Sequence, residues 1–101
     1  MSRQSDGPVV YVVQWDDAGL LKAGYTARGR YRAFLARGGR LIGLTAFEKG
    51  TEALDHETEV HSILKRLHPR AFASRGEAIP FLGGTGSGWL ECYRINGGSR
   101  G

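Results

Sequence analysis

The stretch VVYVVQWDDAGLLKAGY, residues 9–25, decides the fold. Val9 to Gln14 is a β-branched run of the kind that fills a buried strand, because χ1-restricted side chains pack well on a pleated surface. Asp16-Asp17-Ala18-Gly19 supplies the residues of a tight turn, and Leu20 to Tyr25 offers a second short strand. The stretch therefore reads as an antiparallel hairpin. Alternation along its second strand puts Lys22 and Gly24 on one face and Tyr25 on the other.

Outward from the hairpin, Tyr31, Phe34 and Leu35 recur at helical spacing between Arg28 and Arg37, ahead of the stop at Gly38-Gly39. A third strand is expected from Arg40 to Phe47. Gly50 and Thr51 then offer an N-cap for a long helix to about Leu67, with Glu52 and Asp55 suiting the dipole of its first turn and His68-Pro69 beyond its end. The glycine-rich stretch from Arg70 to Gly88 reads as a long loop, and Trp89 to Ile95 as a closing strand. Residues 1–8 read as a polar leader and 96–101 as a tail, leaving a single domain over 9–95. The expected class is α+β, a small central and mainly antiparallel sheet of three or more strands flanked by helices.

A chain of 101 residues leaves room for one core and one site, and 41% hydrophobic residues exclude a disordered chain. Its formal charge of +4 fits an anionic partner as well as it fits an ordinary basic surface. The placing is more informative, since Arg28, Arg30, Arg32, Arg37 and Arg40 fall within thirteen residues while most acids lie at Asp16–Asp17 and between Glu48 and Glu59. The lone Cys92 can form no internal disulfide and no zinc framework, which fits a reducing, cytoplasmic setting. The longest apolar run, Val9 to Val13, is too short to cross a bilayer, so no membrane partner is expected.

On the long helix, Ala53, Val60, Ile63, Leu64 and Leu67 form an apolar stripe, and Glu57 and His61 fall within it or along its edge. A carboxylate on an apolar face needs an ionic partner. An arginine of the first helix or a metal ion would serve for Glu57, and a half-buried hydrogen bond would satisfy His61. Because the two are four apart, they point the same way and can share one ligand. A zinc-protease motif is excluded, since it needs two histidines four apart and the position four after His56 is Val60. The loop from Gly83 to Gly88 lacks the strand before and the Lys-Ser/Thr with helix after that make a P-loop. Trp15, Tyr25, Tyr31 and Trp89 interleave with basic residues and are candidates for base stacking or for the core.

Taken in order, these pieces resemble the GIY-YIG endonuclease superfamily over about residues 9 to 95. Val9-Val10-Tyr11 stands where that family has Gly-Ile-Tyr, and Lys22-Ala23-Gly24 with Tyr25-Thr26 stands where it has Tyr-Ile-Gly and a following Ser/Thr. Val9 replaces the first glycine and Lys22 the second tyrosine. Arg32, or Arg30 if the loop is shortened, matches the family's helical arginine, and Glu57 matches its metal-holding glutamate. Glu57 followed by His61, and Gly88-Trp89-Leu90 near the end, are similar to a divergent phage and bacterial branch.

The resemblance implies a metal-dependent endonuclease that hydrolyses phosphodiester bonds of DNA in a bacterial cell or a phage-infected host. Tyr11 would act as general base or position the water, and Glu57 would hold one Mg²⁺ or Mn²⁺. Arg32 or Arg30 would clamp the phosphate. Lys22 would neutralise a phosphate or lower the pKa of Tyr11, and His61 would orient the nucleophile or relay its proton. Arg28, Arg37, Arg40 and Tyr25 are the expected nucleic-acid contacts, and specificity would come from a homodimer, a partner protein or substrate structure. The rivals are a catalytically silent nucleic-acid-binding module on the same fold, and a protein-interaction domain in which Glu57 is only a structural ion-pair member.

Overall fold

The computed structural model describes residues 7–95; residues 1–6 of the expected leader at 1–8, and the tail at 96–101, lie outside the described residues. The hairpin is present. β1 (Val9–Trp15) pairs antiparallel with β2 (Leu20–Thr26) in the register Val9 to Thr26 through Trp15 to Leu20. The turn is closed by the Gly19 amide donating to the Trp15 carbonyl at 3.0 Å. β3 (Arg40–Ala46) lies on the other side of β1, with a bulge between Val12 and Val13. β4 (Cys92–Arg94) adds to β2, giving an antiparallel sheet of order β3-β1-β2-β4. With the helices, this is the α+β class expected from the pattern. Gly7 and Pro8 continue the pairing rather than belonging to a leader, since the Gly7 amide donates to Ala27 and the Pro8 carbonyl accepts from Phe47, both at 2.9 Å.

The first face of the sheet carries the main core. Tyr11 and Trp15 project to the side on which α1 (Tyr31–Leu35) packs, and Phe34 meets both rings at centroid distances of 5.9 and 6.3 Å. Such aromatic pairs contribute about 0.5–1.5 kcal/mol each beyond the area they bury. α1 is shorter than the span from Arg28 to Arg37, because Gly29 and Gly38 lie at positive φ at either end.

One expectation is overturned. Within the stretch read as a long loop, Arg75–Leu82 forms helix α3 with Pro80 inside it. Pro80 spoils the local signal, but Ala78 and Leu82 are buried in the core and Phe81 packs edge-on against Trp15 at 5.8 Å. Tertiary packing stabilises a helix that local propensity does not.

α2 (Gly50–Leu67) lies across the opposite face, because Tyr25 shares the face of its partner Val10 and the Tyr25 hydroxyl lies beside Gly50. The expected cap at Gly50 and Thr51 is not used; Lys49 is the N-cap residue and makes no side-chain cap bond. The expected apolar stripe is also only half realised. Ala53 is buried and Val60 and Leu64 are half-buried, but Ile63 and Leu67 are 47% and 66% exposed. The main contacts of α2 are with β1 and β2, so the far edge of its stripe finds nothing to cover it among the described residues. The closing strand is likewise shorter than expected: residues Trp89–Glu91 form a 3₁₀ turn, and only Cys92–Arg94 pair. Among the described residues, no helix is long and apolar enough to cross a membrane.

Candidate metal centre and cleft

The short β4 creates the site. It pairs with Leu20, Lys22 and the residue between them, so from Ala23 onward this edge of β2 has no strand partner among the described residues. A cleft of about 330 Å³ wraps that open edge. Tyr11 and Lys22 reach it from one face of the sheet and Tyr25 from the other, as the alternation along β2 requires. Glu57 comes from α2, Arg30 from the loop before α1, and Ser87, Gly88 and Glu91 from the segment before β4. The glycine-rich loop, read as a flexible connection, thus supplies one wall.

At the floor, Lys22 is 2% exposed. Its ammonium donates to the Tyr11 hydroxyl at 2.9 Å and to Glu91 Oε1 at 2.9 Å. Burial works against that charge, but the pairing with Tyr11 and Glu91 outweighs it and raises the Lys22 pKa above its usual value, so the ammonium persists. For Tyr11, burial is the largest influence and holds the phenol above its usual pKa of 10.0, even though Lys22 pulls in the other direction. Lys22 lines the cleft from its floor, and it pulls the Tyr11 pKa down, as expected, without overcoming burial.

Gly24 explains how these groups fit together. A Cβ at Gly24 would stand 2.5 Å from the Tyr11 hydroxyl oxygen, 2.9 Å from Tyr11 Cζ and 3.0 Å from Lys22 Nζ. Only a residue without a side chain admits the phenol and the ammonium beside β2. We expect Gly24→Ala to cost about 1–3 kcal/mol by overpacking, measured by denaturant unfolding. Unchanged stability would mean that the pair is free to move aside.

Above the floor, Glu57, His61 and Glu91 bring ligand atoms within 4.8 Å of one another, a group that can hold a metal ion. His61 Nε2 lies 3.6 Å from Glu57 Oε2, is buried and has no hydrogen-bond partner. His61 Nδ1 lies 2.6 Å from the Tyr93 hydroxyl. Burial first, and then the charge of Glu91, raise the Tyr93 pKa, so its hydroxyl stays protonated. In the tautomer whose Nδ1–H donates to the Tyr93 oxygen, the lone pair of Nε2 is directed toward the two carboxylates, the arrangement in which an outer hydrogen bond orients a ligating imidazole. The donor chemistry, one imidazole and two carboxylates, fits a divalent cation. His61 thus faces the two carboxylates, and no arginine partner of Glu57 is found among the described residues.

The remaining sequence candidates separate. Arg30 is exposed and lines the cleft, and its amide, like that of Arg28, donates to the buried Thr26 hydroxyl at 3.2 and 3.1 Å, which fixes the loop at the end of β2. Arg32 instead lies over the Tyr31 ring at 5.5 Å. Arg28 is exposed and is not among the residues that line the cleft. Arg40 is bound through two hydrogen bonds of 2.8 and 2.9 Å to Asp16, whose carboxyl is held down at about 2 by that contact. Arg37 reaches back to Gly83, and its carbonyl accepts from the Trp15 indole. Neither Arg37 nor Arg40 lines the cleft, so the run of arginines in the sequence is not one surface.

Glu91 is the member of the site that the sequence pattern does not mark. It lies 69 positions from Lys22, and the one available signal is that Glu91 is the only acid after Glu77. Cys92, beside it, has its thiol pushed up to about 12, chiefly by burial, and takes no part in this chemistry. Comparison with family models, with curated proteins and with solved structures finds no match to this chain.

Proposed function

We propose that the chain is a metal-dependent endonuclease acting on phosphodiester bonds of DNA, a divergent relative of the GIY-YIG enzymes with lysine in place of the second signature tyrosine. The observation that carries this reading is the buried, partnerless His61 Nε2 beside Glu57 and Glu91, opening on a cleft that also holds a phenol, an ammonium and an exposed arginine. A Mg²⁺ or Mn²⁺ ion bound there would supply neutralisation of phosphate charge and activation of water. The imidazole in the ligand group favours Mn²⁺ of the two.

Each side chain has a task in that reaction. Arg30 meets the phosphate at the cleft mouth, where a guanidinium can bind two oxygens at once. Tyr11 receives a hydrogen bond from Lys22 through its oxygen, which leaves its own proton available to a group in the cleft. It orders the attacking water and, once ionised, accepts its proton. Lys22 holds Tyr11 and Glu91 in register and supplies positive charge beneath the reacting phosphate, where a fixed charge in a water-poor site is most effective.

Purified protein is expected to nick supercoiled plasmid, or to cut branched or single-stranded oligonucleotides, in Mg²⁺ or Mn²⁺ and not in EDTA. Failure on all of these substrates would favour the second reading, a catalytically silent DNA-binding module. The observation on its side is the raised pKa of Tyr11, which keeps the phenol protonated near neutrality.

A further inference from the structure

The sequence concentrates positive charge before α1, yet the structure builds a second basic wall on the other side of the ligand group. Beyond Glu57 and Glu91 the cleft continues into a wider trough over the C-terminal half of α2. Lys65 and Arg66 stand on its helix wall and Arg70 on the segment after it, with no ion pair to any of the three among the described residues. Glu57 and Glu91 line both cavities, so the trough and the cleft meet at the ligand group.

The opposite side of the trough carries Leu90, a large apolar residue that is 48% exposed. Cations on one wall and an apolar side chain on the other match the two surfaces of an unpaired nucleic-acid strand, whose phosphates seek charge and whose sugars and bases seek apolar contact. At the far end, Arg30 and Tyr25 repeat that pairing.

We propose that a single nucleic-acid strand runs the length of this joined channel, with Arg30 on one flank of the ligand group and Lys65, Arg66 and Arg70 contacting successive phosphates on the other. The proposal rests on the nuclease reading for the position of the reacting phosphate, but the trough binds the strand whether or not chemistry follows. Arg37 and Arg40, though part of the arginine run in the sequence, take no part.

The test is binding of a fluorescent single-stranded oligonucleotide in EDTA, across a range of salt, to the intact protein and to the triple variant Lys65→Ala, Arg66→Ala, Arg70→Ala. Each lost contact to a single strand lowers the slope of log K against log salt by about 0.7, so the triple variant should lose about 2 in slope and at least about tenfold in affinity at 0.1 M salt. Arg75→Ala, which removes one exposed charge on α3 away from both cavities, should leave the slope in place. If the triple variant binds like the parent, or loses no more than Arg75→Ala does, the proposal is overturned. Should the triple variant fold poorly, the single variants Lys65→Gln and Arg70→Gln decide the matter: each is expected to lose about 0.7 in slope, and a parental slope in both overturns the proposal. Because no metal is present, a protein that binds with this dependence but never cleaves refutes the nuclease reading alone. One that cleaves while the triple variant binds normally refutes the trough alone.

Discussion

Replacing Glu57 with alanine is expected to reduce metal-dependent cleavage by at least about 10³-fold while binding of DNA in EDTA survives. The side chain is the one ligand candidate that lines both cavities from α2, and it faces His61 Nε2 at 3.6 Å. Its loss leaves two donors where three converge. The fold should not suffer, because a mostly buried carboxylate with no lysine or arginine partner among the described residues is costly to keep and its removal relieves that cost. Nicking assays, strand binding and thermal denaturation of the same preparation separate these effects. Equal loss of cleavage and binding would remove Glu57 from the ligand group.

Tyr11→Phe is the second large effect, a loss of about 10²–10⁴ in rate with little change in fold, since the ring keeps its packing against Tyr31 and Phe34. The pH profile gives the sign. Burial places the Tyr11 pKa above 10.0, so the ionised fraction is small at neutral pH and grows about tenfold per unit as pH rises toward that value. Cleavage by the parent protein should therefore rise with a slope near one between about pH 7 and 9, and the Phe variant should show no such rise. A flat profile for the parent would restrict Tyr11 to ordering the water.

The parts of this architecture that can be read from the sequence are those whose cause is local. The hairpin follows from the β-branched run Val9–Val13 and the turn residues Asp16-Asp17-Ala18-Gly19, and α2 from its periodicity and charged first turn. Glu57 and His61 share a site because four residues make one helical turn. α3 is hidden, because its glycine, its internal Pro80 and its clustered apolar residues carry no helical period, and it forms through contact with Trp15 and the core. Glu91 is hidden for a related reason: nothing near it in sequence marks it, and its importance comes from the pairing of β4 with β2, which sets it against Lys22. The arginines show the opposite failure. Proximity along the chain puts Arg37 and Arg40 beside Arg30, whereas α1 separates Arg30 from Arg37 and Arg40, which lie against Gly83 and Asp16.

Lys22 shows how the site departs from the signature it resembles without losing coherence. A buried lysine is costly unless charge and hydrogen bonds meet it, and here Tyr11 and Glu91 do so from both sides. Its presence therefore depends on Glu91. The same carboxylate that neutralises the floor of the cleft also completes the ligand group above it.

The most direct measurement is calorimetric titration of Mn²⁺ into metal-free protein and into Glu57→Ala, His61→Ala and Glu91→Ala, with folding of each checked by circular dichroism. One ion per chain, with affinity lowered at least about tenfold by each substitution, is the result expected of a shared metal centre. Absence of binding, or binding that none of the three substitutions weakens, would contradict it.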